Sequence, residues 1–270
     1  MSSEVVVDGV GLHTGAPVRV VLRASPGPVR LAAGGVEVPL AELAVASTAR
    51  ATTVEARGGA LRVGTVEHAL AALAGLGVYE GLVIEVHGPE MPLLDGGAAA
   101  WCASVARLEL PRGRPRLHVT REATFDVGPS RYDFAPGDGT IDVGVHVDFG
   151  DPRFATDASW RGDADDFVAR IAPARTFTLA RDVEELLRRG LARHADPESV
   201  VVIAPGAVHS AGRAFSPDEP ARHKLLDLVG DLYLHGGPPL GRVRVTRPGH
   251  ASNARALRRA IDEGIVNHGS

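Results

Sequence analysis

The chain has 270 residues, enough for one large domain or two modest ones, and its 44% apolar and 23% charged residues are typical of a folded protein. A formal net charge of −4 supplies no positive field for nucleic acid or anionic lipid. No apolar stretch reaches the roughly 18 residues of a membrane span, and the single cysteine, Cys102, fits a reducing cytosol. We therefore expect a cytoplasmic protein with no nucleic-acid partner and no integral membrane segment.

Alternation of apolar and polar residues predicts strands in several places along the chain. Such strands bury one face and usually belong to antiparallel or mixed sheets. The predicted strands lie around 18–22, 82–86, 141–147 and 243–245. Helical patterns lie between them, at 65–76, 98–108, 163–171, 179–189, 216–234 and 253–263.

A short segment rich in arginine and proline, 111–116, is the best candidate for a linker. Strands and at least two helices are predicted on each side of it. We therefore predict an α+β fold of two lobes, 1–112 and 117–270. Each lobe is expected to be a mixed or antiparallel sheet with helices on one face, and the two helical faces are expected to pack as a sandwich with a cleft between the lobes.

Polar residues interrupt the leucines of the predicted helix at 216–234. His223 and Asp227 are four residues apart and share one face, and Asp231 lies one turn further along that face. An imidazole and a carboxylate at this spacing can bind one Zn²⁺ together. An exposed polar pair on a helix has the same spacing, so this pattern alone leaves both interpretations open.

Glu67 and His68 are polar residues at the start of an otherwise apolar helix. Burying them would be costly unless they are paired or bind a metal, and the alternative is an ordinary first turn of a helix. With His223 and Asp227, His68 completes a set of two imidazoles and one carboxylate. Three protein ligands leave a position open for water, as in catalytic zinc sites, and Glu67 would then be a general base beside the metal.

Two further residues add to this interpretation. His250 follows Gly249 in a loop before the last predicted helix, where it could protonate a leaving amine while Asp231 holds the imidazolium. A capping loop with an incidental surface histidine is the alternative. Lys224 is the single lysine among 29 basic residues, which is either chance or a local requirement.

Six motifs, taken in order, resemble those of a known family. They are 9–15 (GVGLHTG), 65–68 (TVEH), 91–98 (MPLLDGGA), 174–177 (ARTF), 222–232 (RHKLLDLVGDL) and 249–253 (GHASN). Their order and spacing resemble the UDP-3-O-acyl-N-acetylglucosamine deacetylase (LpxC) family, zinc amidases of bacterial lipid A synthesis. The resemblance runs from Gly9 to about Leu257.

The resemblance implies two similar α/β lobes with the active site between them. It implies a zinc ion held by His68, His223 and Asp227, although Fe²⁺ suits the same donors. It also implies that Glu67 is the general base that activates water for attack on an amide.

The same resemblance also implies which residues protonate the leaving group and stabilise the intermediate. His250 is implied as the general acid, with Asp231 beside it. Thr176 is implied to stabilise the oxyanion of the tetrahedral intermediate. The substrate is expected to be a small molecule, a UDP-linked 3-O-acylated amino sugar, and the protein is expected to be a monomer.

Substrate-binding residues follow from the resemblance as well. Phe177 is implied to pack on the sugar, Lys224 to meet the diphosphate, and Phe149 to stack on uracil. The segment 179–204 resembles the insert that builds a channel for the acyl chain, although it would also serve as ordinary core.

The chain departs from the family in that insert. Thr178 stands where glycine is more usual, and 192–197 replace a Gly-Gly turn followed by asparagine. These changes touch the acyl channel rather than the metal set. They suggest an alternative, a related zinc amidase acting on another N-acyl sugar. A second alternative is an inactive homologue that only binds, and the intact set of Glu67, His68, His223, Asp227 and His250 argues against it.

Overall fold

The computed structural model describes residues 3–188, 190 and 196–269. The strands before residue 110 are β1 (Glu4–Val10), β2 (Pro17–Pro28), β3 (Arg30–Ala33), β4 (Val36–Pro39), β5 (Ala44–Ser47), β6 (Thr53–Glu55), β7 (Arg62–Val63) and β8 (Glu80–His87). The helices of this part are α1 (Glu67–Gly75) and α2 (Ala99–Val105).

The remaining strands follow the predicted linker. They are β9 (Leu117–Val119), β10 (Ala123–Val127), β11 (Ser130–Ala135), β12 (Ile141–His146), β13 (Asp157–Trp160), β14 (Thr176–Leu179), β15 (Val200–Ala204), β16 (Ala207–His209), β17 (Gly241–Thr246) and β18 (Val266–His268). The helices are α3 (Ala164–Asp166), α4 (Ala180–Arg188), α5 (Glu219–Tyr233) and α6 (His250–Asp262). Among the described residues, no helix has the length and apolar character needed to cross a membrane.

Two five-stranded sheets dominate the structure, and they have the same topology. Their strand orders are β1-β2-β8-β3-β4 and β10-β11-β17-β12-β13. In both, the fifth strand along the chain takes the central position and pairs antiparallel on one side and parallel on the other. The α+β class with mixed sheets, predicted from strand alternation, is confirmed.

Each central strand comes after a helix, and these two helices meet. α1 precedes β8, α5 precedes β17, and α1 packs directly against α5. Apolar residues from both large sheets and from α1, α2, α5 and α6 form one continuous core. Residues 111–116 contain neither helix nor strand, and the division of the chain into lobes at this point stays a prediction.

Two predicted helices differ in detail from the structure. The last helix begins at His250 rather than Asn253, with Gly249 as its extended N-cap, so His250 belongs to the first helical turn instead of a preceding loop. The segment predicted as one helix at 163–171 is α3 followed by a π-helical turn, Phe167–Ile171.

The predicted insert at 179–204 forms a separate small layer. β14 pairs parallel with β15, which pairs antiparallel with β16, and α4 packs on β14 and β15. Residues 189 and 191–195 of this segment, which include most of the departure from the family pattern, lie outside the described residues.

One glycine allows α1 and α5 to approach closely. A Cβ atom added at Gly230, on α5, would overlap the backbone oxygen of Glu67 on α1. Glycine in a helix interior costs stability relative to alanine, so its presence here is explained by this contact. The close approach brings the start of α1 beside the C-terminal half of α5.

We expect Gly230→Ala to lower the free energy of unfolding by about 1–3 kcal/mol, because the added methyl group must push the two helices apart. Chemical denaturation of the purified protein measures this. Gly113→Ala is the matched control, because a Cβ atom there meets nothing within 4 Å. Equal stability of the two variants would contradict the packing argument.

Candidate metal centre

Three predicted ligands come together where α1 meets α5. Asp227 Oδ1 lies 3.8 Å from His68 Nε2 and 3.4 Å from His223 Nε2. All three side chains are buried, and one donor atom from each lies within 4.8 Å of the others. The alternative of an exposed pair on a helix surface is therefore wrong for His223 and Asp227.

Backbone carbonyls orient the two imidazoles. His68 Nδ1 lies 3.1 Å from the Gly97 oxygen, and His223 Nδ1 lies 3.0 Å from the Ala174 oxygen. A carbonyl oxygen only accepts, so both Nδ1 atoms carry the hydrogen and both Nε2 atoms keep a free lone pair. These contacts are of the kind that fix the tautomer and ring orientation of metal-binding histidines.

The spacing and ionisation of the three groups fit a divalent cation. Tetrahedral bonds of about 2.1 Å place neighbouring ligand atoms about 3.4 Å apart, close to the spacings from Asp227. Burial lowers the pKa of His68 to about 3 and also lowers the pKa of His223. Burial alone would raise the pKa of Asp227, but the charges of His223 and Lys224 outweigh it and hold this pKa below its usual range. Neutral imidazoles and an ionised carboxylate are the forms that bind metals.

Glu67 faces this centre without belonging to its closest donor set. Its Oε2 accepts a hydrogen bond of 3.0 Å from the backbone N–H of Thr52, and its Oε1 lies 3.9 Å from His250 Nε2. Burial raises the pKa of Glu67 to about 7, with Asp231 and Asp227 acting in the same direction and His250 against it. A carboxylate with this pKa can accept a proton near neutral pH.

His250 is held by a carboxylate on α5. Its Nδ1 lies 2.9 Å from Asp231 Oδ2, which also accepts a hydrogen bond of 2.8 Å from Asn253 Nδ2. Burial alone would lower the pKa of His250, but the charge and hydrogen bond of Asp231 outweigh it and raise this pKa to about 10. A carboxylate that can accept a proton and an imidazole that can donate one therefore face each other across 3.9 Å.

The segment containing Thr176 lies along the same centre. The carbonyl of Ala174 holds His223, and the N–H of Thr176 donates to the Gly96 oxygen at 2.7 Å, one residue before the carbonyl that holds His68. Between them, buried Arg175 forms an ion pair of 2.8 Å with Glu219. Thr176 itself is half-buried at the start of β14.

The three predicted substrate-binding residues form one group beside His223. The ring of Phe177 lies 6.0 Å from the His223 ring and 5.5 Å from the Phe149 ring, measured between centroids. Lys224 Nζ lies 5.6 Å from the Phe177 ring centroid and donates to Asp227 Oδ2 at 2.7 Å. Phe149 therefore lies beside Phe177 although the two are far apart in the sequence.

A cavity of about 540 Å³ lies in the small layer formed by the insert. Its lining is mainly aliphatic and includes Val183, Leu186, Val200, Val202 and Val208. Thr178, where the family more usually has glycine, also lines it.

Sequence reasoning missed three supporting contacts. Asn253 lies in the last motif, and its helical spacing three residues after His250 could have indicated a shared face. Thr52 carries no such signal, because its partner Asp231 is 179 residues away in the chain. The Arg175–Glu219 pair was also not foreseen.

The chain is similar in sequence to a family of known proteins. The family described as LpxC: UDP-3-O-acyl N-acetylglycosamine deacetylase matches residues 1–262. The chain belongs to the LpxC family. A UDP-3-O-acyl-N-acetylglucosamine deacetylase of Anaeromyxobacter dehalogenans is 36% identical, covering 94% of this chain and 83% of the relative. Enzymes with the same name from Myxococcus xanthus and Pseudomonas entomophila are 36% and 33% identical, covering 95% and 94% of this chain and 84% and 87% of the relatives. Family membership makes the chain an enzyme of the amide-hydrolysing class.

We expect Asp231→Asn to lower the pKa of His250 from about 10 towards its ordinary value, because the variant removes the negative charge that raises it. NMR titration of the His250 ring in metal-free protein measures this. Asp157→Asn, which neutralises an exposed aspartate paired with His146, is the matched control and should leave the His250 titration unchanged. An unaltered His250 titration in Asp231→Asn would contradict the conclusion that Asp231 raises the pKa of His250.

Proposed function

We propose that the protein is a zinc-dependent hydrolase that releases acetate from UDP-3-O-acyl-N-acetylglucosamine in lipid A biosynthesis. The observation that carries this proposal is the buried His68, His223 and Asp227 group, beside which Glu67 and His250 face each other. The match to the LpxC family and the names of the relatives support the choice of substrate.

The donor set supports a single zinc ion, held by the Nε2 atoms of the two histidines and by Asp227. Zinc in such a site acidifies water and polarises a carbonyl group. Two imidazoles and a carboxylate also suit Fe²⁺, so metal analysis of the purified protein distinguishes the two ions.

Proton transfer is the task of the paired acid and base. Glu67 takes a proton from the attacking water, whose oxygen bonds to the acetyl carbon. Thr176 donates a hydrogen bond to the oxyanion that forms. His250 then gives its proton to the glucosamine nitrogen as the carbon–nitrogen bond breaks, and Asp231 stabilises the imidazolium until that step. The products are acetate and a free amine.

Substrate recognition is proposed for the group beside His223. Lys224 uses one of its three N–H donors on Asp227, which leaves two for a diphosphate oxygen. Phe177 packs on the sugar, Phe149 stacks on uracil, and the aliphatic cavity of 179–204 takes the fatty acyl chain. The mainly apolar lining of that cavity favours a substrate with an acyl chain over an unacylated sugar.

The remaining expectations are part of the same proposal. The chain acts as a monomer of two lobes divided at 111–116, without a nucleic-acid partner. A cytoplasmic location accords with Cys102, the single cysteine, which is free and buried.

Acetate release tests the proposal directly. The purified zinc-loaded protein should release acetate from UDP-3-O-acyl-N-acetylglucosamine and far less from unacylated UDP-N-acetylglucosamine. Equal release from both would favour an amidase for another N-acyl sugar. Release from neither, with one metal ion bound per chain, would favour the inactive homologue.

We expect Glu67→Gln to lower kcat by about 100-fold or more, because the amide cannot accept the water proton. Metal analysis should still find one ion per chain, since Glu67 is outside the proposed ligand set. Glu109→Gln, at an exposed position, is the control and should keep full activity. Full activity in Glu67→Gln would remove the assignment of the general base.

We expect His223→Ala to abolish stoichiometric zinc binding, because it removes one of the three proposed protein ligands. Atomic absorption after dialysis measures the bound metal. His87→Ala, whose imidazole is exposed on the first large sheet, serves as the control and should retain one zinc per chain. Equal zinc content in both variants would refute the ligand set.

A further inference from the structure

Thr52 forms hydrogen bonds with two carboxylates of the candidate site, those of Glu67 and Asp231. It is buried, lies directly before β6, and comes from the first part of the chain, whereas Asp231 lies on α5. Its hydroxyl donates to Asp231 Oδ1 at 2.6 Å, and its N–H donates to Glu67 Oε2 at 3.0 Å. Its carbonyl accepts from the N–H of Val66 at 3.2 Å, immediately before α1. All the polar groups of Thr52 are therefore engaged in or beside the candidate site.

The hydroxyl proton of Thr52 is committed to Asp231. The hydroxyl oxygen also lies 3.3 Å from His250 Nδ1, but the contact with the carboxylate is shorter, and a charged acceptor gives the stronger bond. His250 Nδ1 carries a proton of its own, which it donates to Asp231 Oδ2. Asp231 is thus held from opposite sides, through Oδ1 by Thr52 and through Oδ2 by His250 and Asn253.

This arrangement fixes the plane of the Asp231 carboxylate. Without the Thr52 hydroxyl, Oδ1 would be a buried oxygen lacking its donor, and the carboxylate could turn about the Cβ–Cγ bond to find another. That rotation would move Oδ2 away from His250. The position of the imidazole therefore depends on a residue that has no role in the proposed chemistry.

We propose that Thr52 is a positioning residue, whose hydroxyl orients Asp231 so that His250 points its Nε2 towards the reacting nitrogen. Its N–H holds the Glu67 carboxylate in the same way. The proposal rests on the proposed function of Glu67 and His250. It assigns the alignment of acid and base to a single residue that bridges α1 and α5.

Removal of the hydroxyl tests the proposal. Thr52→Val keeps the shape and the N–H bond to Glu67, and we expect kcat to fall about 10-fold while KM and zinc content stay at the wild-type values. Thr52→Ser restores the hydroxyl and should recover most of the activity. Thr52→Ala is a second test if valine disturbs folding. An unchanged kcat in both hydroxyl-free variants, or failure of serine to rescue, would overturn the proposal.

A double-mutant cycle separates positioning from general structural damage. In the Asp231→Asn background, Thr52→Val should lower kcat by less than about 2-fold further, because the group through which it acts is already altered. An undiminished additional loss would overturn the proposal. Thr53→Val is the matched control with full activity expected, because its hydroxyl faces Gly64 instead.

Unfolding measurements on the same four proteins, the wild type, both single variants and the double variant, do not depend on activity. Coupling between Thr52 and Asp231 in the free energy of unfolding supports the contact, and strict additivity overturns it. If the wild-type protein releases no acetate, the proposed function fails, whereas the coupling still decides whether Thr52 orients Asp231.

Discussion

The contact between α1 and α5 is the constraint on which the candidate site depends. His68 lies in the first turn of α1, and His223 and Asp227 lie on α5, so their donor atoms approach each other only because the helices do. Gly230 makes this approach possible, since a side chain at that position would overlap the backbone of Glu67. Each of the two helices precedes the central strand of a large sheet, and the two sheets have the same topology. A single packing contact therefore assembles a site from both parts of the chain.

Burial gives the site its chemistry as well as its shape. In water, the carboxylates and imidazoles of such a site would titrate near their ordinary values. Inside the protein, burial favours the neutral form of each group unless a partner compensates its charge. Burial therefore lowers the pKa of His68, whereas the charge of Asp231 raises the pKa of His250. Backbone groups also orient these side chains, because carbonyl oxygens hold His68 and His223 and a backbone N–H holds Glu67. Similar side chains thereby take different roles.

Much of this site was accessible from the sequence because its residues lie within short local motifs. Helical spacing alone places His223, Asp227 and Asp231 on one face, and the structure keeps them there. Strand alternation likewise located the central strand and one of its neighbours in each large sheet, β8 and β2 in the first and β17 and β12 in the second. The start of α6 was misplaced by three residues, since Gly249 caps the helix without a side-chain signal. No local sequence pattern indicated the contacts of Thr52 or the shared topology of the two sheets.

The sequence by itself determined which residue types are available to the candidate site and which helix faces they share, because side-chain type and a 3.6-residue period are local properties. Only the tertiary structure decided that His68 meets Asp227, that Glu67 faces His250, and that Thr52 reaches across to α5. Those contacts join segments up to 179 residues apart, and their distances depend on how closely two helices pack. Packing of this kind is a property of the whole core, so no local pattern specifies it.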